Sequence, residues 1–185
     1  MRVLGISGSL RRDSHNTRLL RAAARLLPPG TELVLYDGLK AIPPYDADDE
    51  EAGREPESVR DLKEAIDEAD AVLIATPEYN SSVPGHLKNA LDWVSRPPAT
   101  SALRNKPAAV VGASTGMFGA VWAQAELRKV LASIGARVLD RELPVAHADD
   151  AFTGGRLADR ELELELAGIL AELVREAQPV LRQAA

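Results

Sequence analysis

The residues able to do chemistry in this sequence gather in three short stretches, each lying between an apolar run and a helical pattern. The first is Gly8-Ser9-Leu10-Arg11-Arg12-Asp13-Ser14-His15-Asn16-Thr17. Free backbone N–H groups and the positive end of a helix converge at such a position, which suits a phosphate. Ser9, Ser14, Asn16 and Thr17 add neutral donors, and Arg11 or Arg12 adds a charge-assisted one. The stretch has neither the Gly-Lys-Ser/Thr of a Walker loop nor a G-x-G-x-x-G dinucleotide fingerprint. It reads equally as a capped helix start, with Ser14 as N-cap and the arginines solvated.

The second stretch runs from Thr76 through Pro77-Glu78-Tyr79-Asn80-Ser81-Ser82-Val83-Pro84-Gly85. Its two prolines stiffen a backbone that can present amides to a planar heterocycle, with Tyr79 against the ring and Asn80 donating to its carbonyls. The plainer reading is a turn before a Pro-started helix, with Tyr79 packed on its neighbours. The third stretch is Ser114-Thr115-Gly116-Met117-Phe118-Gly119-Ala120, where two glycines three apart allow close approach to the backbone. Helix capping by Ser114 or Thr115 accounts for it as well.

Composition narrows the chemistry. There is no cysteine, so disulfides, thiolate catalysis and zinc–thiolate or iron–sulfur ligation are excluded together. Redox chemistry then needs a bound cofactor. The formal net charge of −6 argues against a nucleic-acid groove or an anionic membrane surface. His15, His86 and His147 lack metal-ligand spacing, and no metal is expected. No signal peptide or membrane-spanning run is expected either, which makes a cytoplasmic location the expectation.

These stretches need rigid elements behind them, and the sequence supplies an alternation. Apolar runs at 3–7, 32–36, 71–76, 108–112 and, more weakly, 136–139 predict five strands. The run at 71–76 is apolar throughout, as a parallel strand buried on both faces requires. Helical spacing predicts helices from about 16 to the Pro28-Pro29-Gly30 stop, over 58–69, from Pro84 in a first turn, over 119–133 and over 159–180. Residues 37–57, with the acidic run Asp46 to Glu51, read as a polar, solvated loop. Lys88 and Asp92 predict a surface ion pair, and Trp93 and Trp122 a core or subunit contact. Five strands separated by helices predict one α/β domain over 1–185, a doubly wound sheet of five parallel strands with helices on both faces. Ligands of such a sheet sit beyond the carboxyl ends of its strands, where all three stretches fall.

Here the sequence resembles a known family. Gly5-Ile6-Ser7-Gly8-Ser9-Leu10-Arg11, followed by Ser14 and Asn16, is similar to the first-loop signature of the NADPH-dependent FMN reductases, which include bacterial chromate and quinone reductases. Residues 77–93, from Pro77-Glu78-Tyr79-Asn80 to Leu91-Asp92-Trp93, resemble the family's most specific motif, and residues 114–119 its third loop. The resemblance spans about residues 2–140. It implies a flavodoxin-like sheet of order 2-1-3-4-5, with Ser9, Arg11, Ser14, Asn16 and Thr17 on the FMN phosphate. Pro77, Glu78, Tyr79, Asn80 and Ser81 would contact the ribityl chain and isoalloxazine edge, and Ser114, Gly116 and Gly119 would flank the ring. Ala120 departs from a second glycine carried by many members, and His15 stands where an aromatic residue is frequent.

The activity so implied is hydride transfer from NADPH or NADH through bound FMN to a small-molecule acceptor: a quinone, free flavin, chromate or an azo compound. The flavin carries the chemistry, so no catalytic side chain is required. The acidic run falls near a subunit interface in this family, and a homodimer or homotetramer is implied. Arg11, Arg12 and Arg96 can each meet the 2′-phosphate of NADPH. The rival reading is an electron-carrier flavodoxin-type protein that oxidises no pyridine nucleotide. Only Tyr79 and Phe118 are aromatic in the three loops, which leaves a ring face open and favours the enzyme.

Overall fold

The computed structural model describes residues 1–51 and 53–178. Strand β1 (Arg2–Ser7) leads to helix α1 (His15–Ala24) and strand β2 (Glu32–Tyr36). The short helix α2 (Ala47–Glu51) and helix α3 (Glu57–Asp67) precede β3 (Ala71–Thr76), α4 (Gly85–Val94) and β4 (Pro107–Ala113). Helix α5 (Val121–Ile134), strands β5 (Arg137–Val138) and β6 (Pro144–Val145), a hairpin of β7 (Phe152–Thr153) and β8 (Arg156–Leu157), and α6 (Arg160–Ala177) complete the order. The sheet runs β2-β1-β3-β4-β5 with parallel pairings throughout, as expected.

Side-chain alternation along the inner strands builds two cores. Ala71, Leu73 and Ala75 of β3 and Ala109 and Val111 of β4 face Leu19 and Leu20 of α1 and Leu166, Ile169 and Leu170 of α6. Val72, Ile74 and Val110 face Leu62 and Ile66 of α3, Leu87 and Leu91 of α4, and Leu127 and Leu131 of α5. A sheet buried on both faces leaves only its strand ends open to solvent, and the three loops emerge from one such end.

The fifth strand departs from a continuous 136–139. Two two-residue pieces each pair with β4, β5 at Pro107 and Ala108 and β6 at Gly112 and Ala113. The buried Gln124 of α5 ties the residue before β6 to the third loop. Its amide donates to the Gly119 carbonyl at 3.1 Å, and its oxygen accepts from the Leu143 N–H at 3.0 Å. Periodicity detects apolar alternation, not a side chain standing in for a ladder rung.

Other boundaries move for local reasons. Helix α5 starts at Val121 rather than 119, because Gly119 (φ 56°) and Ala120 (φ 64°) are left-handed. Pro84 is the N-cap of α4 rather than a residue of its first turn. The expected extension of the last helix to 180 falls outside the described residues. Within 37–57 the chain is held rather than free. Asn89 and Trp93 both donate to the Pro43 carbonyl, at 2.8 and 2.9 Å, and the Tyr45 ring packs edge-on to Trp93 with centroids 4.9 Å apart. Trp93 is fully buried, as a core role requires, while Trp122 is half-exposed. Lys88 and Asp92 form the expected ion pair at 2.6 Å.

Gln124→Leu keeps the volume but strands two buried backbone groups. A loss of about 2–6 kcal/mol is expected, from roughly 1–3 kcal/mol for each of the two unsatisfied groups, read as a lowered urea midpoint at unchanged slope.

Candidate functional site

The loops after β1, β3 and β4 meet around a cleft of about 160 Å³. Ser9, Arg11, Ser14, Asn16, Pro77, Glu78, Tyr79 and Ser114 line it, joined by His15, Ala113 and Thr115. Thr17 does not. Its hydroxyl donates to Ser7 Oγ at 3.0 Å, and the residue faces a different hollow beyond the first loop.

Within the first loop the capped-helix and anion-site readings are both met. Ser14 Oγ accepts from the Thr17 N–H at 3.2 Å as the N-cap of α1. The N–H groups of His15 and Asn16 have no acceptor among the described residues, so they remain available at the positive end of the helix. The Asn16 side chain is engaged elsewhere. Its amide donates to the Ala113 carbonyl and its oxygen accepts from the Ala113 N–H, both at 3.0 Å and buried. It copies a strand partner at the end of β4 and ties α1 to the third loop. His86 of α4 lies 2.8 Å from the Gly8 carbonyl through Nε2. A Cβ at Gly8 would stand 2.8 Å from Leu87 Cδ2 and 3.2 Å from Pro77 Cδ, so a larger residue would displace the buried Leu87 side chain.

The second loop is a tight reversal. Tyr79 and Ser82 exchange backbone hydrogen bonds at 3.1 and 3.2 Å, with Asn80 (φ 53°) and Ser81 (φ 61°) both left-handed between them. Two positive φ values are those of a type I′ turn, which favours glycine at the second position. The conformation turns the Asn80 and Ser81 N–H groups away from the turn's own carbonyls, and neither finds an acceptor among the described residues. Tyr79 is half-exposed at the cleft.

Glu78 is placed by a contact the sequence did not signal. Its Oε2 accepts from the N–H groups of Trp122 and Ala123, both at 3.1 Å. Ala120 offers α5 no side-chain cap, so a carboxylate from the second loop supplies it across the cleft. In the third loop Ser114 Oγ accepts from the Gly116 N–H at 3.1 Å. Gly116 is open, since a Cβ there would meet nothing nearer than Ser114 Oγ at 3.5 Å. At Gly119 a Cβ would lie 2.4 Å from the Pro144 carbonyl carbon, so this glycine serves packing against β6.

His15 carries a feature its sequence position did not show. Both ring nitrogens are buried and make no hydrogen bond among the described residues. Nε2 lies 3.2 Å from an Asp149 oxygen, at ion-pair distance without hydrogen-bond geometry, and the ring stacks on Phe152 at 6.4 Å. Asp149 lies far along the chain, and no local pattern links it to residue 15. No cluster of potential metal ligands occurs among the described residues.

The family model for NADPH-dependent FMN reductases matches residues 1–150. An NAD(P)H-dependent FMN reductase of Pseudomonas aeruginosa is 46% identical, over 86% of this chain and 85% of the relative. A quinone reductase of Escherichia coli K12 is 39% identical, over 76% of this chain and 74% of its own length. Among solved structures, the flavoenzyme FerB, an NAD(P)H:(acceptor) oxidoreductase from Paracoccus denitrificans, superposes with a TM-score of 0.82 at 36% identity, covering 95% of this chain and 96% of that one.

Two substitutions test the local geometry. Ser81→Gly relieves a left-handed residue without removing buried area and should stabilise by about 0.5–1 kcal/mol in thermal melts. Glu78→Ala removes the only side-chain cap seen on α5 among the described residues and should destabilise by about 1–2 kcal/mol, with earlier exchange of the Trp122 and Ala123 amides.

Proposed function

The chain belongs to the NADPH-dependent FMN reductase family, and from that premise we propose that it oxidises NAD(P)H through one FMN held across the three loops. The observation that carries this reading is their convergence on one cleft that ends in free helix N–H groups. Those groups, the Ser9 hydroxyl and Arg11 suit a doubly charged phosphate. The orphaned nitrogens of the His15 ring add a buried polar surface beside them. The cleft accommodates the phosphate end and not a whole flavin, so the ring belongs outside it, against residues 79–81 and 114–117. That fits Tyr79, Met117 and Phe118, which are exposed.

When bound, FMN supplies the hydride chemistry, accepting two electrons from NAD(P)H and passing them to an acceptor. This chain's residues bind and orient. Ser9, Arg11 and the start of α1 hold the phosphate, and Pro77 and the Ser114 turn border the ribityl chain. The outward N–H groups of Asn80 and Ser81 stabilise negative charge developing on the heterocycle, because they are fixed before it appears. Glu78 acts through its cap, holding the second and third loops at a set separation.

A quinone is the acceptor best suited to the exposed aromatic surroundings, since it is planar and apolar. A single domain, a cytoplasmic location and a homo-oligomer complete the reading. Half-exposed Trp122 packs edge-on to Phe118 with centroids 4.8 Å apart beside the site, which favours a second copy covering this edge.

Purified protein loaded with FMN should bleach on anaerobic addition of NADPH and recover on adding a quinone, with parallel double-reciprocal lines. An FMN-loaded protein that NAD(P)H does not bleach would return the chain to the electron carriers. Arg11→Glu should weaken FMN binding by about tenfold or more, given that each 1.4 kcal/mol is tenfold, measured by flavin fluorescence. Light scattering at micromolar concentration should give at least twice the 19.8 kDa chain mass.

A further inference from the structure

Beyond the first loop, on the side away from the cleft, lies a larger hollow of about 350 Å³. Leu10, Leu35, Tyr36 and Leu39 give it apolar walls, and Arg12, Arg21 and Lys40 stand around it with Arg11. Asp37, just past the end of β2, is the one carboxylate on its lining.

Cations without an ion-pair partner gather here. The chain is acidic overall, and Arg2, Arg54, Arg128, Arg137, Arg141 and Arg156 each lie within ion-pair distance of a glutamate or aspartate. No such pair involves Arg11, Arg12, Arg21 or Lys40 among the described residues. Arg18 and Arg25 extend this strip along α1 in the same unpaired state. Arg21 lines the hollow itself, and cations gathered without a carboxylate partner suit an anion.

The hollow is large enough for a nucleoside, within the usual range of small-molecule sites, where bare phosphate would fill a fraction of it. Apolar walls suit a flat heterocycle, a cationic rim suits a phosphomonoester, and the Asp37 carboxylate suits a sugar hydroxyl or an exocyclic amine. We propose that this hollow binds a nucleoside phosphomonoester, the 2′-phosphoadenosine end of NADPH, so that Arg12, Arg21 and Lys40 select NADPH over NADH. The proposal rests on the NAD(P)H reading above and adds the cofactor preference. Of the three arginines able to meet a 2′-phosphate, Arg11 and Arg12 line this hollow, whereas Arg96 lies in a separate groove between α4 and α5.

The test uses the FMN-loaded protein and a variant with Arg12→Glu and Lys40→Glu, both exposed positions outside the proposed flavin contacts. Calorimetric titration with 2′,5′-ADP should show binding at least tenfold tighter than with 5′-AMP or inorganic phosphate, and the variant should lose that difference. The KM for NADPH should rise about tenfold, with the KM for NADH and kcat changing less than twofold and FMN affinity unaltered. Equal binding of 2′,5′-ADP and 5′-AMP to the unaltered protein overturns the assignment. So does an equal rise in both KM values, or a fall in FMN affinity, which would place these cations on the flavin phosphate. Tight binding of duplex DNA that 2′,5′-ADP does not displace would assign the strip to a polyanion instead. If neither nucleotide is oxidised, the enzyme reading fails while the 2′,5′-ADP titration still reads the hollow.

Discussion

The paired hydrogen bonds between the Asn16 carboxamide and the Ala113 backbone hold the site's geometry together. Strand β4 ends there, and both backbone groups of Ala113 are buried, where each needs a partner. Asn16 offers one donor and one acceptor in a single plane, so it closes the ladder as another strand would. Since the same residue opens α1, the helix end that faces the cleft is set by the sheet rather than by its own loop. A charged or apolar residue at 16 would leave a buried group unsatisfied and free the first loop from the third.

The other loops are fixed by comparable cross-ties. Glu78 caps α5 from the second loop, Gln124 ties the residue before β6 to the third, and His86 meets the Gly8 carbonyl. Each tie links separate segments, and the Gln124 tie satisfies backbone groups that burial has cut off from water. The consequence is a set of backbone N–H groups whose directions do not depend on a ligand being present. That is the form of preorganisation a flavin enzyme needs, because its protein contributes position and charge rather than a reacting side chain. Strain at Asn80 and Ser81 serves the same end, since it aims two donors outward.

Electrostatics divides the same edge of the sheet into two. The cleft is narrow and mostly neutral, with Arg11 at its mouth and the Glu78 charge already engaged by a helix end. The hollow behind the first loop has apolar walls and cations without partners. One loop, 8–14, separates them, with Ser9 and Arg11 bordering both and Arg12 only the hollow.

What the sequence determined by itself was the alternation of buried strands and amphipathic helices, because hydrophobic periodicity is local and the sheet is covered on both faces. It also placed the three loops, since small polar residues and glycine after an apolar run mark a strand end whatever lies beyond. The roles within those loops were another matter. Asn16, Glu78 and Gly119 have the residue types of ligand contacts, yet their side chains or shapes answer to Ala113, to α5 and to Pro144. The break between β5 and β6, the approach of Asp149 to His15 and the gathering of Arg12, Arg21 and Lys40 around one hollow are of the same kind. Only the tertiary structure decided these, because each depends on groups well separated along the chain, whose meeting is set by strand order and not by any local spacing.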